Sequence, residues 1–171
     1  MQFRDLGEQY LSLKNEIDTG IEDVIRRHAF INGPQVEQLE SELAAYVGRK
    51  YCIACASGTD ALILPLMAWD IGPGDAVFVP DFTYFASVNC AMLRGATPVL
   101  VDIDERTFNI SPSALEAAIK RTIAKGEQIP RVIIPVDLFG QPAEHEEISR
   151  IAEQYGLLIL EDAAQGFGGS I

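Results

Sequence analysis

Leu157-Leu158-Ile159-Leu160-Glu161-Asp162-Ala163-Ala164-Gln165 is the stretch on which the fold turns. Four consecutive apolar residues describe a buried strand, and the polar groups of Glu161, Asp162 and Gln165 then emerge at its carboxyl end. Open α/β sheets bind their ligands at that edge. Gly166, Gly168 and Gly169 follow at once, so the chain turns there, and this edge is expected to be the working face.

Outward from this strand, four more short apolar runs repeat the pattern: Tyr51 to Ala56, Ala76 to Pro80, Thr97 to Ile103 and Arg131 to Val136. Helical periodicity fills the gaps, at about Thr59 to Trp69, Tyr84 to Arg94, Pro112 to Lys125 and Ala143 to Tyr155. Alternating strands and helices predict an α/β fold with a mostly parallel sheet and helices on both faces. Ser111 before Pro112, or Ser113 before Glu116, is suited to cap the third of these helices. Pro65 removes an intrahelical hydrogen bond and is expected to kink or shorten its helix. Before the first run, Tyr10, Leu13, Ile17, Ile21 and Val24 form one helical stripe reaching His28. Pro34 opens a second helix carrying Val36, Leu39 and Leu43, and Gly48 stops it.

With 171 residues, 48% of them hydrophobic and 22% charged, the chain is large enough for one domain with a sizeable core. A formal charge of −12 argues against nucleic acid and against anionic membranes as partners, since both reward basic patches. Any anionic ligand must therefore be held locally, by backbone amides at a helix start or by a few arginines. No run reaches the roughly 18 apolar residues of a membrane span, and Met1-Gln2-Phe3-Arg4-Asp5 has no signal-peptide core. A cytoplasmic protein is expected, with Cys52, Cys55 and Cys90 as buried reduced thiols. The CxxC of Cys52 and Cys55 lacks a second ligand pair, and His28 and His145, flanked by charged residues, are expected at the surface, so no metal site is predicted.

Three places could carry chemistry. Ala56-Ser57-Gly58-Thr59-Asp60 lies between an apolar run and a helix, where free N–H groups can receive a phosphate; Ser57 or Thr59 could equally be an ordinary cap. Pro80-Asp81-Phe82-Thr83-Tyr84-Phe85-Ala86-Ser87 brings aromatic rings to a second such junction, either to stack on a flat heterocycle or to join the core. Asp162 leaves a buried strand and favours a cationic partner such as a protonated pyridine nitrogen, with Gln165 near the same side; an exposed loop carboxylate is the plainer alternative.

These three places, with Ile31-Asn32-Gly33-Pro34, Gly72-Pro73-Gly74-Asp75, Asp102-Ile103-Asp104, Thr107-Phe108-Asn109 and Leu138-Phe139-Gly140-Gln141, run in order along the whole chain. In that pattern the sequence resembles the DegT/DnrJ/EryC1/StrS sugar aminotransferases, which use pyridoxal 5'-phosphate (PLP) on the fold type I, PLP-dependent transferase scaffold. The resemblance implies a phosphate cradle at Gly58, Thr59 and the Asp60 backbone, and a stacking ring at Tyr84. It implies further that Asp162 holds the ring nitrogen and that Gln165 contacts the ring hydroxyl oxygen. It also implies a Schiff-base lysine further along than Ile171; Lys14, Lys50, Lys120 and Lys125 do not match it. Residues 1–171 are accordingly expected to be N-terminal helices plus part of a large cofactor-binding domain, without the small C-terminal domain and inactive alone. The implied partners are a nucleotide-linked keto sugar of surface polysaccharide synthesis, L-glutamate as amino donor, and a second copy in a homodimer. A non-catalytic module that binds a partner or cofactor is the alternative.

Overall fold

The computed structural model describes residues 5–169. Residues 1–4, part of the stretch without a signal-peptide core, and residues 170–171 lie outside them. Two compact units divide between Ala54 and Cys55, where the sequence suggests a single layered domain.

The first unit carries α1 (Leu6–Arg27) and α2 (Pro34–Tyr46). Asp5 caps α1 by accepting from the Glu8 N–H at 3.0 Å, and ion pairs of Lys14 with Asp18 and of Arg26 and Arg27 with Asp23 support its exposed turns. No residue of α1 is buried, so its apolar stripe lies open. Gly33 is required before α2, because a Cβ there would stand 2.7 Å from the Ala29 carbonyl oxygen.

The run Tyr51 to Ala56, expected as the first strand, is not one. Tyr51 and Ile53 are 73% and 80% exposed. Its side-chain ties within this unit are the Ala54 N–H donating to Glu40 Oε1 at 2.7 Å and Lys50 Nζ lying 4.9 Å from the Tyr51 ring centroid. A strand needs a neighbour to satisfy its ladder, and no described strand pairs with this segment. The same exposure corrects the cysteines: Cys90 is buried, Cys52 is half-buried and Cys55 is exposed.

The second unit holds α3 (Gly58–Ala68), β1 (Asp75–Pro80), α4 (Phe85–Leu93), β2 (Thr97–Val101), α5 (Pro112–Lys125), β3 (Ile129–Ile133), α6 (His145–Tyr155) and β4 (Leu158–Ile159). Pro65 sits inside α3, which nevertheless runs to Ala68. Ser111 is the residue that caps α5, accepting from the Ala114 N–H at 3.4 Å.

The four strands pair in parallel in the order β2-β1-β3-β4. All six residues of β1 are buried, and its side chains alternate between two cores. Ala76 and Phe78 face α5 and α6, with Leu115, Ile119, Ile148 and Ile151. Val77 and Val79 face α3 and α4, with Leu62, Leu66, Cys90 and Ala91. Each fully buried large side chain contributes about 2–3 kcal/mol.

The winding reverses at β1: the chain goes to β2 by way of α4 on one face, then crosses to β3 by way of α5 on the other. The crevice beyond the carboxyl ends of β1 and β3 is thus the topological switch point of the sheet. Pro80-Asp81-Phe82-Thr83 leaves β1 there, and beyond β3 the register continues as a parallel bridge between Val136 and Asp162.

Candidate functional site

The backbone places Asp162 first. Its N–H donates to the Pro135 carbonyl oxygen at 2.9 Å, and its own carbonyl oxygen accepts from the Asp137 N–H at 3.1 Å. Asp162 is therefore fixed at the switch point as an extension of the sheet rather than an exposed loop residue.

Its side chain turns toward α4. Ser87 Oγ donates to Asp162 Oδ2 at 2.8 Å, a bond spanning 75 residues of sequence, and Oδ1 accepts from the Ala164 N–H at 3.3 Å. Ser87 is fully buried, and Thr83 Oγ1 lies 3.4 Å from its hydroxyl. Below them, burial pushes the Cys90 thiol up to about 11, with the Asp162 carboxylate adding to the rise. This cysteine is a protonated packing residue, not a nucleophile.

Ser57 caps α3, accepting from the Asp60 N–H at 3.2 Å while its own hydroxyl donates to Asp60 Oδ2 at 3.0 Å. The Asp60 amide is thereby engaged within the turn. The amides of Gly58 and Thr59, in the first turn, have no intrahelical acceptor, and a Cβ added to Gly58 would meet nothing within 4 Å. The cap reading of Ser57 is thus met, and it leaves the Gly58 and Thr59 amides without an acceptor inside the helix.

Tyr84 stands immediately before α4 and is 73% exposed, so the ring is available rather than part of the core. Phe82 is also exposed and packs with Phe108 and Phe139, ring centroids 5.6 and 6.4 Å away. These three rings come from the loops after β1, β2 and β3. Gln165 is exposed in the turn after Asp162. Its carbonyl oxygen would lie 3.2 Å from a Cβ at Gly140, whose φ of +82° also favours glycine.

The sequence-derived site residues thus divide. Asp162 and the α4 start that follows Tyr84 are brought together through Ser87, whose role the sequence reading misses. The signal was present, since a small hydroxyl residue one helical turn after Thr83 in an apolar helix is a candidate inward donor. His145, expected at the surface, is a second departure: its side chain is only 19% exposed and lies beside Asp137 and Glu161.

A family model described as the DegT/DnrJ/EryC1/StrS aminotransferase family matches residues 11–171. The Pseudomonas aeruginosa UDP-2-acetamido-2-deoxy-3-oxo-D-glucuronate aminotransferase is 50% identical over 99% of this chain, which covers 45% of that protein. The crystal structure of a DegT DnrJ EryC1 StrS aminotransferase from Brucella abortus superposes with a TM-score of 0.96 at 49% identity, over 98% of this chain and 45% of that one. The Streptococcus pneumoniae protein Spr1654 in its PLP form gives 0.79 at 31% identity, over 88% and 40%. The chain thus spans under half the length of the curated relatives it matches.

Proposed function

The chain belongs to the DegT/DnrJ/EryC1/StrS aminotransferase family, and from that premise we propose that it contributes the cofactor cradle of a PLP-dependent enzyme that aminates a nucleotide-linked keto sugar. The observation that carries this reading is the Asp162 carboxylate, held at the switch point by the buried Ser87 hydroxyl. A carboxylate oriented this firmly can keep a pyridinium proton in place, and PLP when bound supplies the electron sink that eases loss of a proton from the amino-donor carbon.

The residues present fit that cofactor. Gly58 and Thr59 offer two unpaired amides at the positive end of a helix, which suits a phosphate in a chain of strongly negative charge. The Asp60 amide would join them only by giving up Ser57. Tyr84 offers its exposed ring as the stacking face, and Gln165 its side-chain amide as the donor to the ring hydroxyl oxygen. No lysine of the second unit lies with these groups: Lys120 pairs with Glu116 at 2.9 Å and Lys125 ends α5, across the sheet from Asp162. The amine that covalent imine chemistry requires is supplied from outside these residues, and residues 1–171 alone do not transaminate.

Within this reading, residues 1–171 are the N-terminal helices and part of the large domain of a cytoplasmic homodimer. L-glutamate is the amino donor, and a 3-keto UDP-sugar of surface polysaccharide synthesis is the acceptor. The likeness to the Pseudomonas aeruginosa aminotransferase supports that choice of sugar. Absorption spectroscopy on the whole protein tests the proposal. Added PLP is expected to give a visible band distinct from the free aldehyde, which L-glutamate bleaches as 2-oxoglutarate appears; a whole protein that neither takes up PLP nor responds to glutamate ends the reading. Asp162→Asn is expected to lower kcat/KM about 100-fold, equivalent to about 2.7 kcal/mol.

A further inference from the structure

Glu161 precedes Asp162, and its side chain serves the other face of the sheet. There it meets two residues that the cofactor reading leaves unused. His145 Nε2 lies 3.5 Å from Glu161 Oε1 and 3.7 Å from Asp137 Oδ1, and ligand atoms of the three residues all lie within 4.8 Å of one another.

Asp137 is 2% exposed and accepts from the Ala143 N–H at 3.0 Å, while His145 is the one basic side chain within 4 Å of it among the described residues. The His145 Nε2 atom is itself fully buried and has no hydrogen-bond partner among those residues. A buried carboxylate, a half-exposed one and a buried nitrogen without a partner thus stand together, an arrangement that positive charge between them would satisfy.

We propose that Asp137, His145 and Glu161 bind one divalent transition-metal ion, with zinc the best match. Two ligand atoms each about 2.1 Å from zinc at the tetrahedral angle stand about 3.4 Å apart, close to the 3.5 and 3.7 Å found about His145. One imidazole and two carboxylates are a borderline-hard set that suits zinc, manganese or cobalt over copper(I), and they leave a fourth position for water. Glu161 is half exposed, so its carboxylate can swing to complete the shell. An open groove along Pro142, Glu144 and Glu146 gives the ion a path to His145.

The ion would join the loop after β3, the start of α6 and the end of β4. The function of this site is thus to clamp the backbone from which Asp162 projects on the opposite face. The proposal does not depend on the aminotransferase reading, because metal uptake is measured without PLP or substrate.

The test is metal binding by the whole protein after chelator treatment, with zinc and cobalt(II) titrated against a chromophoric chelator. One equivalent of zinc per site is expected, raising the melting midpoint, together with a cobalt spectrum free of thiolate charge-transfer bands. His145→Gln and Asp137→Asn should each weaken binding at least about tenfold. Should either misfold, Glu161→Gln at the half-exposed position is the second variant, and it should lose the zinc-dependent rise in melting midpoint. Failure to hold zinc, equal affinity in wild type and Glu161→Gln, or thiolate bands that vanish with Cys55→Ser would overturn the proposal. So would an imidazole that titrates by NMR as a simple cation between the carboxylates, unaffected by zinc.

Discussion

Glu161 and Asp162 are neighbours in sequence and occupy opposite sides of one sheet. Asp162 accepts from Ser87 on the α3 and α4 side; Glu161 approaches His145 and Asp137 on the α5 and α6 side. On the first side a carboxylate is fixed by neutral donors, one on each oxygen. On the second, two carboxylates crowd a single imidazole. The difference teaches that alternation along an extended segment can give two adjacent acidic residues entirely different partners on the two faces of one sheet.

Four substitutions sharpen or break this contrast. The largest effect is expected at Gly166, which is buried against Asp137 on the clustered side: a Cβ there would stand 2.6 Å from Asp137 Cβ. Gly166→Ala should lose about 3 kcal/mol in urea unfolding, because neither backbone nor a fully buried Asp137 can yield. A loss under about 1 kcal/mol would show that the side chains beneath the turn are looser than the structure has them.

Next comes Cys90, under the ligand side. Its pKa rises from 9.0 to about 11 on folding, so between those values the unfolded thiol is ionised while the folded one stays protonated. Folding stability contributed by the protonated thiol is complete below pH 9.0 and is lost as pH rises toward 11, by 2–3 kcal/mol to order of magnitude. Urea midpoints measured across this range should fall in the wild type, and Cys90→Ala should flatten the fall. Thiol reagents should modify Cys55 readily and Cys90 only upon unfolding.

Ser87→Ala removes the donor from Asp162 and should cost about 1–2 kcal/mol of stability. PLP uptake should weaken with it, whereas zinc affinity across the sheet should not change, which tests directly whether the two sides act apart. The smallest effect is expected for Tyr155→Phe. It removes the 3.0 Å bond from the Tyr155 hydroxyl to Glu116 Oε1 between α6 and α5, and a thermal melt should register about 0.5–1 kcal/mol.

Much of the contrast is legible in the sequence. The α5 bounds Pro112–Lys125 follow from Ser111, Pro112 and Gly126, local signals that the structure uses directly as cap, first-turn proline and left-handed stop. The four strands lie on apolar runs bounded by turns, although β3 starts at Ile129 and ends at Ile133, short of Val136, and β4 is only Leu158–Ile159. Tyr51 to Ala56 has the same local signature and fails, because a strand is a relation between two segments and pattern supplies only one. Ser87 and His145 escaped for a similar reason. Their partners lie 75 and up to 16 residues away, and only the winding of the sheet brings them together. Asp162 stands out in the sequence because it follows an apolar run, and the structure holds it at the sheet edge through its bridge to Val136.

The strand order carries one more consequence, for the emerging polypeptide. β1 is made before any of its neighbours, yet both of its hydrogen-bonded flanks are occupied by later segments, Thr97–Val101 and Ile129–Ile133. Until Ile133 has left the ribosome, Ala76-Val77-Phe78-Val79 is a sticky ribbon with at least one bare side. The time taken to make the residues between β1 and β3 is therefore time in which this ribbon is open to aggregation or chaperone capture.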